Sequence, residues 1–145
     1  MNGYKKRVLH DQIIPKVVYQ DRYFQLKQKY MCWVDQWIEK TDASKHVFEE
    51  VGIAAFMTLL FEEDMKLLGR WLPVALYRQI LCLDVKFPCV LYRKPRFADL
   101  GCGNGFLTYI LNKEGFEGVG IDMTARKSWT LFSDEANLRG CGYYL

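Results

Sequence analysis

The pattern of hydrophobic and polar positions divides the chain into a helical first half and a second half of different character. From Val17 to Lys40, apolar residues recur at steps of three and four, with charged and amide residues between them. This spacing predicts an amphipathic helix that begins just after Pro15. The apolar positions of this segment are Tyr23, Leu26, Tyr30, Trp33, Val34, Trp37 and Ile38.

A second helix is predicted over residues 44–69, with Asp42 or Ser44 as its N-terminal cap and Gly69 at its end. The middle of this segment is apolar nearly all round, which predicts burial on several sides. Substitution of Phe56 by aspartate is therefore expected to bury a charge in the core. The apolar positions are Val51, Ile53, Ala54, Ala55, Phe56, Met57, Leu59, Leu60 and Phe61.

Residues 70–95 interrupt this pattern, because Pro73, Pro88 and Pro95 are spread among apolar and basic positions. We predict only a short helix at about residues 74–83 and interpret the stretch as an insertion. The predicted organisation is a helical N-terminal region over residues 1–69, the insertion over 70–95, and an α/β unit over 96–145.

The α/β unit begins with a predicted strand over residues 97–100, followed by a glycine-rich loop and a helix that ends at Gly115. A second strand over residues 118–122 ends in a carboxylate, and another helix is predicted to start within residues 125–132. Strand, glycine loop, helix, strand and acid form the first βαβ half of a nucleotide-binding domain, so the predicted fold class is α/β.

The loop has glycine at positions 101, 103 and 105, which lets the backbone turn sharply and keeps side chains away from a ligand. Asp122 lies about 20 residues after Gly101, the distance expected for a carboxylate that binds ribose hydroxyls. A dinucleotide fingerprint is excluded because Phe106 stands at its third glycine, and no Walker lysine is present. The alternative is a tight strand-to-helix turn with two incidental acids, Asp99 and Asp122.

Composition adds little to this picture. The net charge is +3, although two basic stretches, residues 1–30 and 66–96, flank an acidic one. These stretches are either solvated helix faces or a surface for nucleic-acid phosphates.

Five cysteines without a C-x-x-C pair, and two histidines, predict neither a disulfide framework nor a metal site. We expect a cytoplasmic protein, with no apolar run long enough to span a membrane.

Several other residues are open to two interpretations. Cys102 is either a nucleophile or, as we favour, a small residue tolerated between glycines. Arg126 and Lys127 face either RNA or solvent, and His46 is interpreted as a surface or cap residue rather than a ligand. The tryptophans suit either base stacking or a core or lid position. They are Trp33, Trp37 and Trp129.

Taken together, these motifs resemble the eukaryotic tRNA (uracil-2′-O-)-methyltransferases, which modify uridine 44 of serine tRNA. The similar segments cover roughly residues 20–70 and 96–131. They include Phe97-Ala98-Asp99-Leu100-Gly101-Cys102-Gly103-Asn104-Gly105-Phe106-Leu107, Glu114-Gly115-Phe116, Gly120-Ile121-Asp122, Ala125-Arg126-Lys127-Ser128-Trp129, and the helical segment with Thr41-Asp42 and Val47-Phe48-Glu49-Glu50-Val51-Gly52-Ile53-Ala54-Ala55-Phe56.

The resemblance implies a Rossmann-like methyltransferase sheet, S-adenosylmethionine as cofactor and serine tRNA as partner. By resemblance, the residues that cradle the methionine end are Asp99, Gly101, Gly103 and Gly105, and Asp122 binds the adenosine ribose. No catalytic base is implied within these residues.

Because this family continues well beyond the matching segments, we expect the chain to be a fragment with an incomplete sheet, inactive alone. The alternatives are a methyltransferase for protein or small molecules, and a non-catalytic S-adenosylmethionine-binding or regulatory domain.

Overall fold

The computed structural model describes residues 13–71, 95–132 and 135–141. Two long helices precede a small parallel sheet, and none of the helices described there is long and apolar enough to cross a membrane. The elements are α1 (Lys16–Tyr30), a 3-10 turn (Met31–Val34), α2 (Ala43–Trp71), β1 (Phe97–Leu100), α3 (Phe106–Lys113), β2 (Gly118–Asp122), α4 (Trp129–Phe132) and β3 (Asn137–Gly140).

The three strands are parallel, in the order β1-β2-β3. Asp99 of β1 pairs with Gly120 of β2, and Ile121 of β2 pairs with Arg139 of β3. The predicted strands β1 and β2 and the α/β class are confirmed. β3 is an addition that the sequence pattern did not indicate. Because all three strands run the same way, their carboxyl ends form one edge of the sheet.

The core lies where α3 meets the N-terminal helices. Phe106 is completely buried and makes edge-on ring contacts with Trp33 and Trp37 at centroid distances of 6.0 and 6.2 Å. Aromatic pairs in this geometry add to the hydrophobic free energy of burial. The buried cluster is Leu26, Tyr30, Val47, Val51, Ala54, Ala55, Phe106, Tyr109, Ile110, Leu111, Phe132 and Ala136.

The first predicted helix ends earlier than the sequence pattern indicated. α1 stops at Tyr30, and the 3-10 turn follows, so the prediction of one helix to Lys40 is wrong. The turn and the loop after it bring Trp33 and Trp37 onto the same ring, Phe106. The indole of Trp37 donates a hydrogen bond to the Thr41 hydroxyl at 3.1 Å, which holds the chain as it enters α2.

The cap of α2 is as predicted, because the amide of Lys45 donates to the Asp42 carboxylate at 3.1 Å. However, α2 continues past Gly69 to Trp71, so Gly69 does not end it. The prediction of burial all round is also wrong: Ile53 is 50% exposed and Phe56 is 39% exposed. The buried positions of α2 follow one face and comprise Val47, Val51, Ala54, Ala55, Thr58, Leu59 and Phe61.

The end of α3 follows the sequence prediction closely. Gly115 has a left-handed φ of 82°, and its amide donates to the Asn112 carbonyl at 2.9 Å. The next amide, of Phe116, donates to the Leu111 carbonyl at 3.0 Å, and the Phe116 ring is buried. These two bonds define a Schellman cap.

Two predictions concern residues 72–94, which lie outside the described residues. They are the short helix at 74–83 and most of the insertion over 70–95. Both stay predictions, as does the division into three regions.

Candidate cofactor site

The glycine loop lies at the carboxyl end of the sheet and is fixed to β2 by its backbone. The amides of Gly101 and Cys102 both donate to the Ile121 carbonyl, at 2.7 and 3.1 Å. The turn is closed by the Gly105 amide, which donates to the Cys102 carbonyl at 2.9 Å. The loop is therefore an extension of the strand pairing rather than an independent segment.

The glycines of this loop have positive φ but different surroundings. Gly101 and Gly103, with φ of 80° and 53°, have no atom within 4 Å of the position where a Cβ would stand. At Gly105, a Cβ would lie 2.7 Å from the Leu138 side chain and 3.3 Å from Trp129. The missing side chains of Gly101 and Gly103 thus leave space for a ligand. At Gly105, the missing side chain makes room for the side chains of Leu138 and Trp129.

Asp122 ends β2 and supports the loop directly. One carboxylate oxygen accepts a hydrogen bond from the Gly103 amide at 2.8 Å, and the other accepts one from the Thr124 amide at 3.3 Å. These amides lower the pKa of the carboxyl, the Gly103 amide contributing most. Each oxygen keeps a lone pair for a further donor, so ribose hydroxyls remain suitable partners.

Asp99 lies half-buried near the end of β1, where its carboxylate accepts a hydrogen bond from the Thr108 hydroxyl at 3.1 Å. Burial raises the pKa of this carboxyl, the Thr108 hydroxyl lowers it and the negative charge of Asp122 raises it further. The two predicted site acids, Asp99 and Asp122, therefore both lie close to the loop.

The buried thiol of Cys102 sits among these acids. Burial first, and then the charges of Asp99 and Asp122, raise its pKa to about 11. At neutral pH the thiol is protonated, and the thiolate is the reactive form. This favours the interpretation of Cys102 as a small packing residue.

Sequence reasoning assigned no role to Asn104 or Glu50, yet both support the loop. The Asn104 side-chain oxygen accepts a hydrogen bond from the Phe106 amide at 2.7 Å, and its amide group donates to the Glu50 carboxylate. Glu50 reaches the loop from α2, between the buried positions Val47 and Val51. An acid on the buried face of a helix was the signal that could have identified it.

The loop is held from its other side by Ser128 and Trp129. The Ser128 hydroxyl donates to the Asn104 carbonyl at 2.8 Å, and the Trp129 indole donates to the Gly103 carbonyl at 2.9 Å. Trp129 is thus engaged with the loop, as Trp33 and Trp37 are with the core. Of the two predicted alternatives, core or lid packing describes these residues. Arg126 and Lys127 are exposed.

Other depressions that the described residues form lie away from the glycine loop. A depression of about 660 Å³ lies at the opposite end of the sheet and is lined by residues such as Phe97, Glu117 and Asn137. Ligands of open α/β sheets bind at the carboxyl ends of the strands, so we place the site at the loop. Within the described ranges, no three His, Cys, Asp or Glu residues are grouped to hold a metal ion.

A parallel sheet with a glycine loop open on one side, and an acid at or near the carboxyl end of each of two adjacent strands, defines an α/β domain that binds a nucleoside-containing cofactor. The family described as "Predicted AdoMet-dependent methyltransferase" matches residues 13–67 and 84–139. The chain belongs to this family, and its cofactor is S-adenosylmethionine.

Curated relatives are similar over nearly the whole chain. Three proteins named tRNA (uracil-O(2)-)-methyltransferase are 46% identical over 97% of the chain (Eremothecium gossypii), 41% over 93% (Saccharomyces cerevisiae) and 39% over 91% (Schizosaccharomyces pombe). The matched regions are 22%, 20% and 22% of these relatives, so the chain spans about a fifth of their length. No solved structure matches the chain significantly.

The residues present fit the cofactor. Open space at Gly101 and Gly103 admits a ligand against the loop, and Asp122 retains acceptor capacity for hydroxyls. A buried carboxylate oxygen of Glu50 has no well-formed hydrogen bond within the described part of the chain, so it is suited to a donor on the ligand. The residues that would hold the cofactor are Asp99, Gly101, Gly103, Gly105 and Asp122, joined by Asn104 and Glu50.

We expect Asp122→Ala to weaken binding of S-adenosylhomocysteine by about 10-fold, because hydroxyl donors and the Gly103 amide lose their acceptor. Isothermal titration calorimetry on the whole protein measures this loss. Asp21→Ala, at an exposed position on α1, is the matched control and should bind like the wild type. Equal affinities for the two variants would contradict the assignment of Asp122 to the ribose.

Proposed function

We propose that the whole protein transfers a methyl group from S-adenosylmethionine to the 2′-hydroxyl of uridine 44 in serine tRNA. The observation that carries this proposal is the 46% identity, over 97% of the chain, with a relative named tRNA (uracil-O(2)-)-methyltransferase. The finer assignment, to serine tRNA and position 44, is supported by the resemblance of the run from Gly120 to Trp129 and of the acidic helical segment to a family with that activity. The reducing cytoplasm is the proposed compartment.

In this proposal, the chain contributes positioning rather than bond-making groups. The bound cofactor supplies a methyl group that is already activated on a sulfonium. The open glycine loop and the two strand-end acids would hold its orientation, and correct alignment of two reactants accounts for a large part of such a rate enhancement. Asp122 maintains the loop through Gly103, and Trp129 maintains it from the opposite side.

The substrate is tested by methyl transfer from labelled S-adenosylmethionine, with the whole protein and a serine tRNA transcript. The matched control is the same transcript with 2′-deoxyuridine at position 44, which lacks only the proposed acceptor hydroxyl. We expect label in the first transcript and none above background in the second, or in a transcript of another tRNA.

Three results would contradict this proposal in different ways. Equal labelling of the deoxy transcript would place the reaction at another nucleotide. Labelling of protein or small molecules but not of tRNA would favour the alternative substrate classes. Binding of S-adenosylhomocysteine with no transfer to any acceptor would favour a non-catalytic cofactor-binding domain.

A further inference from the structure

The Glu50 carboxylate is enclosed between α2 and the glycine loop. One of its oxygens accepts the hydrogen bond from Asn104, and the other is buried with no well-formed hydrogen bond from the residues that the structure describes. A buried polar atom without a partner is uncommon, because its desolvation is not compensated. An unpartnered acceptor beside a cofactor loop indicates a donor supplied by the ligand.

The charges around Glu50 point to a cation. The groups that influence its carboxyl are the Asn104 side chain, the Leu107 amide and the acids Asp99 and Glu49. Asp122 is close enough to Asp99 to raise the pKa of the Asp99 carboxyl. Among the described residues, none of the influences identified on Glu50 or Asp99 is a cationic side chain, so no neighbouring cation offsets the repulsion that the Asp99 charge exerts on the Glu50 carboxylate.

This environment shifts the titration of Glu50 into the neutral range. Burial raises the pKa of the carboxyl to about 7; the Asn104 and Leu107 groups lower it, and the charges of Asp99 and Glu49 raise it. A cation placed beside the carboxyl favours its ionised form, so binding of such a ligand at about pH 7 releases a proton.

We propose that Glu50 is a cofactor-binding residue whose free oxygen, together with Asp99, accepts the α-ammonium group of the methionine end of S-adenosylmethionine. The N-terminal helical region then supplies part of the cofactor site, through α2. This proposal rests on the identity of the cofactor and does not depend on the RNA substrate.

The experiment pairs the residue with the ligand group that it is proposed to bind. Wild type, Glu50→Gln and Glu49→Gln are prepared in the whole protein, and each is titrated with S-adenosylhomocysteine and with its analogue lacking the α-amino group. Glu49 is the exposed neighbour on the same helix. Thermal melting checks that each variant is folded.

We expect the wild type to bind the des-amino analogue at least about 10-fold more weakly than S-adenosylhomocysteine. In Glu50→Gln, the two ligands should bind with nearly equal affinity. Glu49→Gln should bind both ligands with the affinities of the wild type. Calorimetry in buffers of different ionisation enthalpy should show roughly half a proton released per ligand at pH 7 in the wild type, and less in Glu50→Gln.

Two outcomes would overturn the inference. If removal of the amino group weakens binding equally in the wild type and in Glu50→Gln, the residue does not contact the ammonium. If the wild type binds no S-adenosylhomocysteine, the cofactor assignment fails with it. Binding with the expected pattern, but without transfer to serine tRNA, would contradict only the proposed substrate.

Discussion

Val51→Asp is expected to destabilise the protein by about 4 kcal/mol or more, a large part of the roughly 5–15 kcal/mol that stabilises a typical domain. Val51 is completely buried in the cluster where α2 packs against α1 and α3. A carboxylate there would be buried in this cluster and would also remove apolar contact. Chemical denaturation followed by circular dichroism measures the loss, as a lower midpoint concentration of denaturant for the variant than for the wild type.

The matched control is Ile53→Asp, two residues along the same helix at a position that is 50% exposed. The same chemical change should cost less than about 1 kcal/mol here, because the charge remains hydrated. Similar losses for the two variants would mean that the buried face of α2 is placed incorrectly. Val51 and Ile53 test the core better than Phe56, the position that the sequence pattern favoured. Phe56 is too exposed for this purpose.

Gly103→Ala is expected to reduce the affinity for S-adenosylhomocysteine by about 100-fold or more. The left-handed backbone at φ 53° costs a residue with a Cβ about 1–2 kcal/mol. In addition, the new methyl group projects into the open space that we assign to the ligand, and relaxation of the loop disturbs the bond from the Gly103 amide to Asp122. Calorimetric titration of the folded variant measures the change.

Gly115→Ala separates backbone strain from ligand contact. Gly115 also has a left-handed φ, 82°, but it caps α3 away from the glycine loop. This variant should lose a similar free energy of unfolding and keep the affinity of the wild type for S-adenosylhomocysteine. If both variants bind equally well, Gly103 does not border the cofactor.

The parts of the fold predicted correctly from sequence are those set by local signals. β1, the glycine loop, α3 and the cap at Gly115 follow one another within about 20 residues, and each is specified by its own glycines and apolar spacing. Asp42 likewise caps α2 by a bond to the nearby Lys45 amide. Such features need no knowledge of the rest of the chain.

What was missed depends on contacts between distant segments. The spacing of Trp33 and Trp37 suits a continued helix, but both rings pack on Phe106, and that packing favours the turn. β3 consists of only four residues, Asn137–Gly140, and is defined by its pairing with β2. The periodicity of α2 places an acid, Glu50, on the buried face of the helix, but the contact of Glu50 with the loop follows from how α2 packs.

The bonds that support the glycine loop also have a consequence for the order of folding. Asn104 and Glu50 are 54 residues apart, and the Ser128 amide donates to Glu39 across 89 residues at 2.9 Å. Contacts of such long sequence separation form slowly, because a large loop of chain must close first. During synthesis on the ribosome, the loop can therefore reach its final conformation only when residue 128 has emerged, after its own glycines have been synthesised.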